Sequence, residues 1–327
     1  MKKQRNYTYY STLAASIMGL IDEKRRSGYA YNSNENVLKE LDTFCIQSGY
    51  TCETVVKELS DAWSIQKATE GLNARNIRIS ALRQLSKYIF SLGKEAYLPR
   101  RLQSKETSVA HVFTPAELFS FFEALDSMRP TQIASGARIL NECKVLFRLY
   151  YCCGMRLSEP LNLTWHCVDL DVGSLRILQS KGDKDRIIWI ADDINSMLQQ
   201  YRDYIGQECP GCEWVFPGIK IDIHLNDVSV RNYFRRAWYS TPYSILSNPP
   251  TVKSFRHTFV VDRLNSWMES GENIQNKLQY LSKFLGHSSI HESLYYYHQV
   301  EQGWKIVRQK DRTSDQVIPE VNTDEKE

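Results

Sequence analysis

Apolar residues recur every three or four positions through the first ninety residues, the interval that builds one face of a helix. Leu13, Ile17, Leu20 and Ile21 mark a first helix running to Arg26, closed by a basic turn before Gly28. Asn34 caps a second, with Val37, Leu38, Leu41, Phe44 and Cys45 on one side. Val55 to Lys67 groups Val56, Leu59 and Trp63, and Asn73 opens a fourth helix with Ile77, Leu82, Leu85, Ile89 and Phe90 inward. That helix would expose Arg75, Arg78, Arg83 and Lys87, a face that suits either plain solvent or a polyanion lying along it. Residues 1–10, basic and tyrosine-rich, read as a flexible arm, and 11–93 as one helical domain.

From 94 to 112 the periodicity lapses into a basic linker that includes Arg100 and Arg101, a composition able to track a phosphate backbone. Thr114 as cap and Pro115 in the first turn restart the chain as a helix to about Ser127. A longer apolar helix from about Ala134 to Cys153 stops at Gly154, and a short one covers Ser158 to Leu163. The interval then changes to two: residues 175–179 and 186–190 alternate around Gly182-Asp183, predicting a hairpin with Lys181 at its tip. Helices follow at 192–204, 228–238, 253–270 and 274–285, with a tyrosine cluster on a last one. The domain so delimited spans 113–309, and 310–327 reads as a disordered tail.

Composition narrows this picture only a little. The net charge is +3, but residues 1–111 hold 17 Lys/Arg against 11 Asp/Glu while the remainder is slightly acidic. A basic first domain fits an acidic partner or a solvated surface equally well. Eight irregularly spaced cysteines suggest a reducing cytoplasm, and Cys209-Pro-Gly-Cys212 lacks the second ligand pair that structural zinc requires. Apolar runs fall far short of the roughly 20 residues of a membrane span.

The candidate chemistry lies in the second domain. Arg156, Lys181, Arg256, His287 and Tyr296 supply two guanidiniums, a flexible ammonium, an imidazole and a phenol. Together these make a metal-free phosphoryl-transfer set: guanidiniums offer paired donors to non-bridging oxygens, the lysine protonates a leaving oxygen and the phenol attacks. Singly, each has a plainer reading. Arg156 beside Glu159 can be a helix-surface ion pair, Lys181 a solvated turn with Lys184 as rival, and Tyr295 to Tyr297 aromatic packing. Glu159 reads as a structural carboxylate orienting a basic neighbour, and Trp189, Trp238 and Trp267 read as core.

The order of motifs is more specific than any residue. Gly154-Met-Arg156-Leu-Ser-Glu159-Pro-Leu, Ser180-Lys181-Gly-Asp-Lys-Asp-Arg186 and Leu285-Gly-His287-Ser-Ser-Ile followed by Tyr296-Tyr-His298 resemble the boxes of the tyrosine recombinases of the phage integrase family, of Xer-like or transposon-integrase kind. The resemblance implies a mainly α fold with a small β-hairpin or sheet, comprising an N-terminal SAM-like four-helix core-binding domain and an α+β catalytic domain. It implies DNA cleavage and rejoining through a 3′-phosphotyrosyl link, with Tyr296 as nucleophile and Tyr297 as runner-up. No cofactor and no metal are expected. The implied partners are double-stranded recombination sites and three further copies of the chain. The copies would exchange a C-terminal segment within residues 300–309, in the prokaryotic cytoplasm at the nucleoid.

One box departs from the family. Its second motif ordinarily begins with histidine three residues before the arginine; here Lys253 precedes Arg256, and His257 follows. With an unperturbed pKa of ~10.4 a lysine is a poor base, so Lys253 is assigned to phosphate contact. A DNA-binding protein with impaired catalysis and a type IB topoisomerase-like relaxing enzyme are the alternatives. The expected DNA-contacting residues are Arg75, Arg78, Arg83, Lys87, Arg100 and Arg101.

Overall fold

The computed structural model describes residues 7–102, 110–178, 185–287, 289 and 291–297. The chain is mostly helical and divides into two compact units, residues 1–108 and 109–327. The first contains α1 (Ala14–Arg26), α2 (Asn32–Gln47), α3 (Lys57–Ser64) and α4 (Leu72–Ser91). Their apolar stripes meet in one core of Leu13, Ile17, Leu38, Leu41, Cys45, Leu59, Trp63, Leu82, Leu85 and Ile89. Residues 7–10, expected in a flexible arm, are instead anchored. Buried Asp42 accepts from the backbone N–H groups of Tyr10 and Ser11 at 2.8–3.2 Å, and Lys39 donates to the Thr8 carbonyl.

Three positions on α4 lie opposite to expectation. Arg78 is buried, with its guanidinium over the Trp63 ring, ion-paired to Glu70 and donating to the Trp63 and Ile65 carbonyls. It stands four, seven and eleven residues before Leu82, Leu85 and Ile89, so it shares their inward stripe and cannot also form the outer basic face. Ile77 and Phe90 fall off that stripe and are exposed.

The second unit holds α5 (Pro115–Asp126), α6 (Gly136–Cys153), α7 (Ser158–Leu161), a 3-10 turn at Trp165–Cys167, strands β1 (Val168–Asp169), β2 (Ser174–Ile177) and β3 (Arg186–Trp189), then α8 (Asp192–Glu208), α9 (Asp227–Tyr239), α10 (Val252–Glu269), α11 (Ile274–Leu285) and α12 (His291–Tyr297). Thr114 and Glu117 close a reciprocal capping box at the start of α5, with Pro115 in its first turn. The sheet is antiparallel in the order β1-β2-β3, pairing Leu175 with Ile188 and Ile177 with Arg186. Alternation therefore points Ile188 and Arg186 inward and leaves Ile187 and Trp189 on the solvent face. Trp189, expected in the core, is exposed; Trp238 is buried and Trp267 half-buried.

Helix α10 runs through the middle of this unit and is buried over most of its circumference from Val252 to Leu264. It packs most extensively on α6 and also meets α11 and α12. Gly154 ends α6 at φ 57°, where a methyl group would meet the Phe259 ring at 2.5 Å. Gly154→Ala is expected to destabilise the protein by roughly 2–4 kcal/mol, from left-handed strain plus overpacking, as a lowered urea midpoint at unchanged slope. Among the described residues no helix is long and apolar enough to cross a membrane.

Candidate active site

The candidate site is assembled at the C-terminal end of α11. Asn273 caps the start of this helix by accepting from the Gln275 and Asn276 N–H groups. Gly286 ends it at φ 64°: the Gly286 N–H reaches the Lys283 carbonyl and the His287 N–H the Ser282 carbonyl at 2.9 Å, a Schellman closure. Three consecutive carbonyls beyond these each accept from a different arginine. Arg186 Nε donates to Phe284 O at 2.7 Å, Arg256 Nη2 to Leu285 O at 2.8 Å, and Arg156 Nη2 to Gly286 O at 2.5 Å. The negative end of the helix dipole thus draws three guanidiniums from three separate segments to one turn.

Each arginine has a second anchor. Arg256 Nη1 donates to the Gly154 carbonyl at 2.8 Å, joining the end of α6 to the end of α11. Arg156 lies on the turn between α6 and α7, where Glu159 accepts from its backbone N–H at 2.7 Å and its Nη1 at 3.0 Å. The same carboxylate receives both terminal nitrogens of Arg186, at 2.9 and 2.8 Å. Glu159 is therefore the orienting carboxylate expected of it, buried between two guanidiniums. A methyl group at Gly286 would lie 3.0 Å from Arg186 Nη1 and 3.3 Å from Arg156 Nη1, so the arginines pack against a bare Cα.

His287 follows this turn, with Nδ1 2.7 Å from the hydroxyl of Ser293 on α12. Its ring is parallel to that of Tyr296, with centroids 6.4 Å apart, and the His257 ring lies 5.2 Å from the Tyr296 ring, tilted by 43°. Tyr296 is 5 % exposed, among Phe259, Val260, Leu264, Leu281 and Leu285. Burial first, then Arg156, draws the Arg256 pKa down to about 10, which leaves it charged at neutral pH. Burial and the charge of Arg256 bring His287 down to about 4, and burial with Lys253 and Arg256 does the same to His257. Both imidazoles are neutral at pH 7 and stay so well below the usual value near 6.5. Because the unfolded chain takes up protons first, the unit is expected to lose stability as pH falls from about 6.5 towards 4. A histidine-resolved NMR titration of the DNA-free protein should place the His287 midpoint near 4.

Of the residues singled out from sequence, Arg156, Arg256, His287 and Tyr296 are brought to the end of α11, and Lys253 is exposed one turn before His257 on α10. Lys181 and the 300–309 segment lie outside the described residues. In the first unit Lys87 and in the linker Arg100 and Arg101 are exposed; Arg75 and Arg83 are half-buried, with Arg75 Nε on the Ser64 carbonyl. Buried Arg78 is withdrawn from the DNA-contacting set. Sequence reasoning passed over Arg186 as a site residue and gave His257 no role. Strand parity with inward Ile188 was the available signal for the first, and adjacency to Arg256 for the second. Among the described residues no group of three or more His, Cys, Asp or Glu could hold a metal ion.

The fold is that of solved recombinases. The chain resembles the Tn1549 transposon integrase in complex with transposon right end DNA at a TM-score of 0.64 and 15% identity, over 90% of this chain and 98% of that one. It also resembles the XerH site-specific recombinase in a post-cleavage complex at a TM-score of 0.62 and 16% identity, over 94% and 90%. In sequence it is 25% identical over 275 residues to a putative integrase/recombinase, y4qK, of Sinorhizobium fredii, covering 82% of this chain and 79% of the relative. Tyrosine recombinase XerC of Xanthomonas axonopodis pv. citri is 24% identical over 238 residues, 70% of this chain and 68% of its own. The profile described as "Phage integrase family" matches residues 114–302, which contain α5 to α12 and every arginine gathered at the end of α11. With more than half its length so matched, the chain belongs to the phage integrase family.

Proposed function

We propose that this protein is a site-specific DNA recombinase that cuts and rejoins strands through a covalent phosphotyrosyl intermediate. The observation that carries the reading is the docking of Arg156 and Arg256 on adjacent carbonyls, 286 and 285, with His287 next in the chain and its ring parallel to Tyr296. Two guanidiniums held this way present donors to one phosphodiester and stabilise the extra negative charge of the pentacovalent state. The Tyr296 oxygen forms the new bond to phosphorus as the bond to the 5′-oxygen breaks; the phenol loses one proton and the leaving oxygen gains one. Lys181 is the proposed donor of the second proton, from its motif. Neutral His287 can accept or pass the first, which a permanently charged imidazole could not. Lys253 is suited to phosphate contact, being exposed on the same helix as Arg256. The phosphotyrosyl ester conserves bond energy, so attack by a 5′-hydroxyl of another strand reverses the step without a nucleotide cofactor.

The partners proposed are paired duplex sites bound by four copies in the cytoplasm, with the segment beyond residue 300 passed between subunits. Lys87, Arg100 and Arg101 are the exposed cations offered to the DNA backbone. A binding-only protein is the second reading, favoured by Lys253 standing where the family places histidine. A nicked suicide duplex from the native flanking DNA decides between them. A denaturation-resistant protein–DNA adduct joined at a 3′-phosphate is expected, and its absence across all flanking sequence would leave the binding-only reading.

A further inference from the structure

We propose that Cys209 and Cys212 form a reversible disulfide-modification site, closed by exchange with a small-molecule disulfide such as oxidised glutathione, and that closure loosens the loop 219–223. The proposal stands apart from the recombinase reading. It starts from a turn at the end of α8. There the Cys212 N–H donates to the Cys209 carbonyl at 3.1 Å, and Pro210 and Gly211 fill the two central positions. Gly211 has φ 75°. Proline followed by a positive-φ glycine is the signature of a type II turn, whose end Cα atoms lie less than about 7 Å apart, within the reach of a disulfide. The backbone hydrogen bond already holds the two ends together in the reduced chain, so closing the ring orders little that is not ordered beforehand.

The two thiols differ in access: Cys209 is 3% exposed and Cys212 is half-buried. Cys212 therefore reacts first. Its thiolate attacks one sulfur of the small disulfide, whose S–S bond breaks and releases one thiolate. The Cys209 thiolate then attacks the Cys212 sulfur and expels the second. In sum the protein gives up two hydrogens and the small disulfide becomes two thiols. Burial raises the pKa of both cysteines, which keeps the pair as thiols at neutral pH and makes the exchange slow. Structural zinc wants four ligands, and among the described residues no group of even three His, Cys, Asp or Glu is assembled.

Closure reaches the neighbouring loop through one contact. In the reduced protein Cys212 Sγ donates to the Ile221 carbonyl at 3.3 Å, and a disulfide has no S–H to offer. The base of the loop is held independently, by the Gly218 N–H on the Ile223 carbonyl at 2.7 Å and Trp214 Nε1 on the Asp222 carbonyl at 3.2 Å. The loosening is thus confined to the tip, which presents Ile219, Ile221 and Ile223 to solvent.

The test uses the full chain in sub-millimolar oxidised and reduced glutathione, with acid quench, alkylation and peptide mass mapping. The peptide holding Cys209 and Cys212 should lose two hydrogens and regain them in dithiothreitol, while exposed Cys52 gains glutathione and shows that the reagent acts. Cys209→Ser should carry glutathione on Cys212 at an occupancy at least about tenfold above wild type, because the closing thiol competes at an effective concentration of millimolar or more. Two intact thiols beside a modified Cys52 in the wild type would overturn the proposal, and so would equal occupancy of Cys212 in wild type and Cys209→Ser. Amide exchange at residues 219–223 should quicken by about a few-fold on oxidation and in Cys212→Ala, which deletes the same weak donor. Exchange unchanged by oxidation would overturn the loosening of the loop.

Discussion

Tyr296→Phe is expected to abolish the covalent adduct while leaving DNA binding and folding in place. The substitution removes one oxygen and keeps the ring, so the packing of Tyr296 among Phe259, Val260, Leu281 and Leu285 survives. Loss of a single hydroxyl interaction costs about 0.5–1.5 kcal/mol, small against the 5–15 kcal/mol of a typical fold. The chemical effect is absolute by comparison, because without the phenol no phosphorus–tyrosine bond can form. Radiolabelled suicide duplex on a denaturing gel provides the measurement, with Tyr297→Phe as the matched control. Adduct formation in Tyr296→Phe together with its loss in Tyr297→Phe would transfer the nucleophile to residue 297. The parallel stacking of Tyr296 on His287 would then be packing alone.

Much of this arrangement was open to reading before any coordinates. The bounds of α11 follow from Asn273, which caps it, and Gly286, which stops it, and both are local properties of the chain. The antiparallel pairing of β2 with β3 follows from an interval of two, and its parity even assigns faces. The errors came where one residue obeys two rules. Arg78 has the charge of a surface residue and the position of a core residue, and position prevails because Glu70 and two carbonyls satisfy the guanidinium internally. Trp189 has the bulk of a core residue and the parity of a surface one, and parity prevails again. The trio of arginines on carbonyls 284–286 was beyond reach for another reason. Residues 156, 186 and 256 are 30 and 70 positions apart, and nothing local says that their common destination is the backbone of a helix end rather than a side chain.

That destination shapes the second large effect, expected for Arg256→Lys. Arg256 is 4% exposed and spans two backbone carbonyls, Gly154 O and Leu285 O, which belong to the ends of different helices. A lysine retains the charge, but its single nitrogen cannot hold both carbonyls and also present a donor pair to a phosphate. Leaving one buried carbonyl unpaired costs about 1–3 kcal/mol, which the fold tolerates. The chemical penalty should be larger, a fall in adduct formation of about 100- to 1,000-fold, because the transition state carries more charge than the bound phosphodiester and misses a preorganised donor. Duplex affinity, dominated by many backbone contacts, should drop only a few-fold. The discriminating measurement is therefore the ratio of single-turnover cleavage to binding, with a urea melt to correct for stability. A lysine variant that cleaves within a few-fold of wild type would mean that Arg256 fastens α6 to α11 without touching the reacting phosphate, and Arg156 would have to carry the charge stabilisation alone.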